Sequence, residues 1–170
     1  MGARAFIGLG SNLGDRLDTL QRSVRHLSRC EGVRVLGSSR VYETAPVGGP
    51  PGQPDFLNAV VEVETDLEPH ELLGACMEVE EYLGRHRTSM RWGPRTIDLD
   101  ILTYDLREVD EPDLVIPHPL MHERGFVLAP LLELDADPML PGGRKVVEIR
   151  VGPELLEGVR PFAPPLEVGG

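Results

Sequence analysis

The order of strand-like and helix-like patterns along the chain is the feature that most constrains its fold. Runs of alternating or continuous apolar residues predict strands at residues 4–9, 33–43, 56–65 and 97–101. Apolar residues at helical spacing predict one helix from about Asp15 to Arg29 and another from about Pro69 to Leu83. The second strand contains Gly37, where we expect a bend. The order is therefore strand, helix, strand, strand, helix, strand.

This order is typical of a ferredoxin-like α+β fold (βαββαβ), in which two helices pack on one face of an antiparallel sheet. Beyond Asp105 the patterns predict additional C-terminal elements: short strands near Leu106–Val109 and Leu114–Ile116, a helix around His122–Leu134 that contains Pro130, and an element near Val146–Val151. We expect one domain over residues 1–160, because no repeat or second core is indicated. The segment 161–170, PFAPPLEVGG, is predicted to be a poorly packed, flexible tail.

Composition excludes several classes of protein. The net charge of −11 argues against binding to nucleic acid or to an anionic membrane surface, both of which favour a broad positive field. No apolar run is long enough to predict a transmembrane helix. Two cysteines, Cys30 and Cys76, form neither a disulfide framework nor a metal-binding spacing, so we expect reduced thiols in a cytoplasmic protein.

Two aspartates lie on the last of the core strands. Because side chains alternate along a strand, Ile97, Leu99 and Ile101 share one face. Asp98 and Asp100 share the other. Neighbouring carboxylates repel each other, and a half-buried pair is unfavourable unless a cation compensates for its charge. Mg²⁺ prefers oxygen ligands of this kind together with substrate phosphates. The alternative is a solvated strand face on which both aspartates contact water.

A group of arginines precedes this strand, at Arg85, Arg87, Arg91 and Arg95. Guanidinium groups opposite a pair of carboxylates are consistent with a site for a metal and a polyphosphate, in which the metal binds some phosphate oxygens and the arginines bind others. The alternative is a solvated run of charges that pairs with nearby glutamates.

Aromatic and amide side chains suggest a second kind of ligand. Phe56 and Asn58 share a strand face, and a flat ring beside an amide suits a planar heterocycle. Taken alone, they also fit an ordinary core phenylalanine and an asparagine near a turn. Trp92 fits either a loop anchor or one wall of a ligand site. Three residues of the segment PHPLMHERGF have either a structural role or a role in a phosphate site: His118, Arg124 and Phe126.

Four segments then resemble a known family. They are GLGSNLGD, YETAPVG with QPDFLNAVVEVET, RWGPRTIDLDIL (Arg91–Leu102) and VIPHPLMHERGFVLAPLLEL. In this order, over residues 4–135, they closely resemble the hydroxymethyl-dihydropterin pyrophosphokinases of the folate pathway. The resemblance implies an enzyme that transfers the β- and γ-phosphates of ATP to 6-hydroxymethyl-7,8-dihydropterin and releases AMP.

The resemblance also implies roles for individual residues. Two Mg²⁺ ions are expected at Asp98 and Asp100, with Arg85 and Arg95 as catalytic arginines. The positions that match ATP-binding residues are Glu80, Arg87, Ile101 (through its backbone), His118 and Arg124. The positions assigned to the pterin site are Thr44, Val47, Phe56, Asn58, Trp92 and Phe126. The loops Thr44–Asp55 and Gly84–Arg95 are expected to close over the substrates and exclude water.

Some positions depart from the family pattern, and two other functions stay open. Thr88, Met77 and Pro119 replace a lysine, a glutamine and a tyrosine found in some members, which affects contacts to ATP more than the type of reaction. A non-catalytic module that binds nucleotide or pterin is one alternative, and a Mg²⁺-dependent phosphodiesterase or nuclease is another. The expected assembly is a monomer that binds small molecules, without a nucleic-acid or membrane partner.

Overall fold

The structure, a computed structural model, describes residues 2–46, 51–84, 97–121, 124–135, 141 and 158–168. The elements within these residues are β1 (Ala3–Ser11), α1 (Arg16–Arg29), β2 (Val33–Ser38), β3 (Val41–Thr44), β4 (Phe56–Thr65), α2 (Pro69–Tyr82), β5 (Asp98–Tyr104), β6 (Val109–Glu111), β7 (Leu114–Ile116), α3 (Gly125–Leu134) and β8 (Arg160–Ala163). No helix in this part of the chain has both the length and the apolar character needed to cross a membrane.

Six of these strands form the predicted antiparallel sheet, and β6 and β7 form a separate two-stranded sheet. The order of the six-stranded sheet is β5–β1–β4–β3–β8, and β2 pairs with β4 beside β3. The central pair is β1 and β4, with β5 at one edge, which is the strand order of a ferredoxin-like core. The single strand predicted at 33–43 is divided into β2 and β3, and the register of β2 on β4 shifts between Val35 and Gly37, where the bend was predicted.

Local sequence signals start the two long helices. At α1 the side chain of Asp15 accepts a hydrogen bond from the backbone N–H of Asp18. At α2 Glu68 and Glu71 form a reciprocal capping box around Pro69, a residue that fits the first turn because its missing N–H would have no helical partner.

The helices cover both faces of the sheet. Helices α1 and α2 pack on one face in a core that includes Ile7, Leu20 and Leu72, each fully buried. Helix α3 packs on the opposite face through Leu128 and Leu131, which contact a smaller apolar cluster on β1, β4 and β5. Because α3 covers only part of that face, the residues beyond its N-terminus remain accessible, and the candidate site lies there.

Several element boundaries differ from the sequence prediction. Strand β1 continues to Ser11, so Gly10 lies in the strand and not in the following turn. The strand predicted near Leu106–Val109 begins only at Val109. Helix α3 begins at Gly125, later than the predicted start near His122, and it contains Pro130 as predicted. The element predicted near Val146–Val151 lies outside the described residues.

Part of the segment 161–170, which was predicted to be a poorly packed tail, pairs with the sheet and contacts the core. Strand β8 pairs with β3, and Leu166 is only 5% exposed in the main core. The side-chain amide of Gln21 donates to the carbonyl of Glu167 at 2.9 Å and accepts from its N–H at 2.8 Å. The prolines that suggested disorder are compatible with a short edge strand, where few backbone N–H groups need a partner.

Candidate active site

A cavity of about 470 Å³ opens beside the N-terminus of α3, which is within the usual range for small-molecule sites. It lies on the sheet face that α3 partly covers. Its walls come from β1, β3, β4, β5 and the segment that leads into α3. The polar, charged and aromatic residues that line it are Thr44, Phe56, Asn58, Asp98, Asp100, His118, Arg124 and Phe126.

The two aspartates lie side by side on one wall of the cavity. Strand alternation buries Leu99 and Ile101, each 4% exposed, in the main core and directs Asp98 and Asp100 into the cavity. The alternation predicted from sequence is therefore confirmed. Across the ladder, Asp98 pairs with Gly10.

The oxygen-only donor set at this wall fits a hard divalent cation such as Mg²⁺. Behind this wall, on the other side of β5, burial is the largest cause that raises the pKa of the Cys76 thiol, followed by the negative charges of Glu80 and Asp100.

Two glycines of β1 form the floor between the aspartates and the aromatic wall. Gly8 and Gly10 both line the cavity and pair with Asp100 and Asp98 on one side. A Cβ atom at Gly10 would lie 3.0 Å from Oδ1 of Asn58, which is an unusually close contact. The sequence analysis placed Gly8 in the first strand, ended that strand before Gly10, and gave neither glycine a role in the site. The available signal was glycine at two alternate positions of one strand.

The amide and one aromatic ring of the predicted pterin site lie on the next strands. Asn58 of β4 pairs with Gly10 on one side and Tyr42 on the other. Its Nδ2 donates to Oγ1 of Thr44 at 2.7 Å, which fixes the orientation of the amide. Thr44 is paired with Phe56 at the end of β3, so all three predicted residues share this part of the cavity.

The segment that leads into α3 forms a further wall of the cavity. The backbone N–H of His118 donates to the carbonyl of Leu102 at 2.9 Å, which ties this segment to β5. Nδ1 of the same imidazole accepts from the N–H of Leu120 at 3.2 Å. The guanidinium carbon of Arg124 lies 5.6 Å from the centroid of the Phe126 ring, a cation–π contact between two of the predicted residues.

His118 is therefore held as a neutral imidazole. Burial is the largest cause that lowers its pKa, and the positive charge of Arg124 lowers it further, while Asp98 opposes both. Since Nδ1 accepts a hydrogen bond, the proton of the neutral ring is on Nε2.

Two predicted ATP-binding residues do not line the cavity. Glu80 of α2 is 5% exposed, and its Oε2 accepts the backbone N–H of Leu99 at 2.9 Å. This hydrogen bond fixes β5 between its two aspartates. The side chain of Ile101 belongs to the main core, so only its backbone lies along the exposed edge of β5. Their contacts to ATP stay predictions.

The other predicted site residues lie outside the described part of the chain. They are Val47, Arg85, Arg87, Trp92 and Arg95. Most of the loop Gly84–Arg95 and part of the loop Thr44–Asp55, which were expected to close over the substrates, lie there too.

The described residues divide the cavity into two chemically different ends. One end has two carboxylates and the imidazole of His118, and the other has Phe56 and the amide of Asn58. Arg124 and Phe126, which contact each other, line the cavity at the N-terminus of α3. Asp98 and Asn58 are two strands apart on one face, a separation of roughly 10 Å. Such a site can bind a charged group coordinated by a cation next to a flat polar ring.

Several solved structures have a similar fold. Plasmodium falciparum HPPK-DHPS with pterin and p-hydroxybenzoate superposes with a TM-score of 0.64 and 14% identity, over 88% of this chain and 42% of that chain. A crystal structure of HPPK-DHPS in complex with substrates gives a TM-score of 0.60 at 14% identity, over 79% of this chain and 40% of that chain. The chain thus spans about two fifths of these solved chains, and the likeness shows the fold.

Sequence comparison identifies the family. The model of 7,8-dihydro-6-hydroxymethylpterin-pyrophosphokinase matches residues 6–136. The 2-amino-4-hydroxy-6-hydroxymethyldihydropteridine pyrophosphokinase of Methylorubrum extorquens is 46% identical over 145 residues, which is 85% of this chain and 90% of the relative. The Bacillus subtilis protein of the same name is 48% identical over 130 residues, or 76% of this chain and 77% of the relative. The chain belongs to the 7,8-dihydro-6-hydroxymethylpterin-pyrophosphokinase family.

Proposed function

We propose that the residues of the described cavity transfer diphosphate from ATP to 6-hydroxymethyl-7,8-dihydropterin. As a member of its family, the chain is an ATP-dependent diphosphotransferase of folate biosynthesis that forms AMP and the pterin diphosphate. The single observation that carries the assignment of the site is the shared sheet face. On it, Asp98 and Asp100 line the same cavity as Phe56 and Asn58, and Phe126 of α3 lines that cavity too.

The acidic end is proposed to bind the triphosphate. Asp98 and Asp100 would hold two Mg²⁺ ions, which would neutralise phosphate charge and lower the pKa of the attacking hydroxyl group. Arg124 supplies a positive charge beside them. The neutral His118 offers its Nε2–H as a hydrogen-bond donor to an anionic oxygen, while its Nδ1 is occupied by the N–H of Leu120.

The aromatic end is proposed to bind the pterin. Phe56 and Phe126 provide apolar faces for the flat ring, and Asn58 provides donor and acceptor groups for its polar edge. The hydrogen bond to Thr44 orients that amide before the ligand arrives. Orientation of this kind lowers the entropic cost of bringing the hydroxymethyl group to the β-phosphorus.

Residues outside the cavity or outside the described part of the chain complete the proposal. Arg85 and Arg95 are proposed to neutralise charge that develops during transfer. Contacts to ATP are proposed for Glu80, Arg87 and Ile101, and contacts to the pterin for Val47 and Trp92. A cytoplasmic monomer with two free thiols, Cys30 and Cys76, is part of the same proposal.

A coupled assay of AMP formation tests the function. With ATP, MgCl₂ and the hydroxymethyl pterin, we expect AMP and pterin diphosphate in equal amounts, and no AMP when either the pterin or Mg²⁺ is omitted. ATP consumption that does not depend on the pterin contradicts the proposal. Binding of both ligands without turnover would identify a non-catalytic module.

A matched pair of variants tests the acidic end. Asp98→Asn should lower turnover by at least about a hundredfold, because it removes one of the two negative charges that attract the cations. Asp110→Asn is the control, since it changes an exposed aspartate on β6. Circular dichroism should show both variants folded. Equal activity in both would remove Asp98 from the proposed mechanism.

A further inference from the structure

Strand β8 carries an arginine close to the ends of β3 and β4 that line the predicted pterin site. Arg160 of β8 pairs directly with Glu43 of β3. Its Nη2 lies 3.1 Å from Oε1 of Glu43 and 3.2 Å from Oδ2 of Asp55. Glu43 and Asp55 immediately precede Thr44 and Phe56. One guanidinium group therefore bridges the two strands at the point where they enter the site.

A second arginine reinforces this bridge from α1. Nη1 of Arg16 donates to Oε2 of Glu43 and to the backbone carbonyl of Asp55, both at 2.8 Å. Its guanidinium carbon lies 5.4 Å from the centroid of the Phe162 ring on β8. We call Arg16, Glu43, Asp55 and Arg160 the Glu43 clamp. The side chains of Arg16 and Glu43 are each 23% exposed, so solvent screens their attraction less than that of a fully exposed ion pair.

The Glu43 clamp lies on the opposite side of the sheet from the cavity. Strand alternation places Tyr42 and Thr44 on the cavity side and Glu43 on the side of α1. Any influence of the clamp on a ligand must therefore act through the backbones of β3 and β4.

We propose that Arg160 is a positioning residue for the pterin end of the site. By bridging Glu43 and Asp55, it fixes the spacing of β3 and β4 where Thr44 and Phe56 meet. Thr44 in turn orients Asn58. The inference rests on the proposed function, and it assigns a role to a segment beyond the residues 6–136 that the family model matches.

Steady-state kinetics with three variants test this role. Arg160→Gln removes both ion pairs. Arg160→Lys keeps a positive charge, but on a shorter side chain than the one whose Nη2 reaches both carboxylates. Arg34→Gln is the matched control, because the ion pair of Arg34 with Glu64 also joins a neighbouring strand to β4 but lies far from the cavity.

In Arg160→Gln we expect the KM for the pterin to rise about three- to tenfold, the size expected when two partly exposed ion pairs are lost. The kcat and the KM for ATP should change by less than about twofold. Arg160→Lys should give an intermediate KM for the pterin, and Arg34→Gln an unchanged one. An unchanged KM for the pterin in Arg160→Gln, or an equal rise in both KM values, overturns the inference.

Hydrogen exchange of the ligand-free protein separates this inference from the proposed function. Amides of residues 51–58 should exchange faster in Arg160→Gln than in Arg34→Gln, and equal exchange overturns the positioning role. Exchange needs no turnover. If the wild-type protein forms no AMP with the pterin, the proposed function is wrong, while the exchange result still decides whether the clamp orders this part of the sheet.

Discussion

Gly10 lies inside a strand, where glycine is usually unfavourable, and directly between Asp98 and Asn58 in the ladder. Its missing side chain leaves the floor of the cavity open between the acidic and aromatic ends. Local alternation is enough to predict that Asp98 and Asp100 share a face. The role of Gly10 could not be predicted in this way, because it depends on which side chains the neighbouring strands place beside it.

Gly10→Ala should weaken pterin binding without unfolding the protein. The new Cβ would lie 3.0 Å from Oδ1 of Asn58 and 3.7 Å from Cδ1 of Phe56, so the amide must move away from the orientation that Thr44 holds. Overpacking of this kind costs about 1–3 kcal/mol, and the same cost in the orientation of the amide that binds the pterin raises the Kd for the pterin about 5- to 150-fold. Fluorescence titration with the pterin measures this increase.

Gly74→Ala is the matched control for this change. Gly74 lies in α2 with no atom within 4 Å of the new Cβ, and alanine is favoured over glycine in a helix by about 1 kcal/mol. Its Kd for the pterin should equal that of the wild type and its melting temperature should rise. An unchanged Kd in Gly10→Ala would show that the cavity floor tolerates a side chain.

At the scale of elements, α2 and α3 each fix one wall of the site. Helix α2 holds β5 through the buried carboxylate of Glu80 and the N–H of Leu99. Helix α3 is joined to β3 near its C-terminus, where Glu133 accepts hydrogen bonds from Tyr42 and from two N–H groups of Arg40. Both contacts are made by side chains far apart in sequence, so helical and strand periodicity predicts the elements but not these connections.

Glu80→Ala should destabilise the fold and disturb the strand that carries the aspartates. The variant leaves the buried N–H of Leu99 without this acceptor, which costs about 1–3 kcal/mol. Glu80→Gln keeps an acceptor oxygen and should lose less stability. Glu78→Ala, at an exposed position of the same helix, should have almost no effect. Urea unfolding compares the four proteins, and equal stabilities for Glu80→Ala and Glu78→Ala would contradict the role of this contact.

The hydrogen bonds that Glu133 accepts from Tyr42 and Arg40 should make the free energy of unfolding depend on pH. Burial by itself raises the pKa of Glu133, but the hydrogen bonds from Tyr42 and Arg40 and the charge of Arg40 outweigh it, so the pKa in the folded protein lies below its ordinary value of 4.5. The unfolded state therefore binds more protons, and the stabilisation is present above pH 4.5 and is lost as the pH falls through the folded-state pKa.

Thermal melts of Glu133→Gln at several pH values test this linkage. We expect the wild type to have the higher melting temperature at pH 7 and its advantage to shrink below about pH 4.5, where the carboxylate becomes protonated. Glu108→Gln, which replaces an exposed glutamate outside the contact, is the control. A difference between wild type and Glu133→Gln that stays constant from pH 7 to pH 3 would contradict the assignment.

At the scale of the whole molecule, residues distant in sequence complete both the sheet and its core. Patterns within the chain predicted the βαββαβ order, because each element carries its own periodicity. They did not predict β8. Arg160 of this strand pairs with Glu43 of β3, which lies 117 residues earlier in the chain. Strand β8 is short and lies in a proline-rich sequence, and its place in the sheet depends on an edge of β3 that local sequence does not reveal.

Leu166 is the residue through which the segment after β8 contributes to the core. It is 5% exposed among the residues under α1 and α2, and its N–H donates to Oγ of Ser38 at 3.2 Å. Leu166→Ala should therefore lower the free energy of unfolding by about 2–4 kcal/mol, as expected for a buried leucine. Leu106→Ala, at a leucine that is 55% exposed, makes the same chemical change and should cost well under half as much. Equal losses in urea unfolding would contradict the burial of Leu166 in the core.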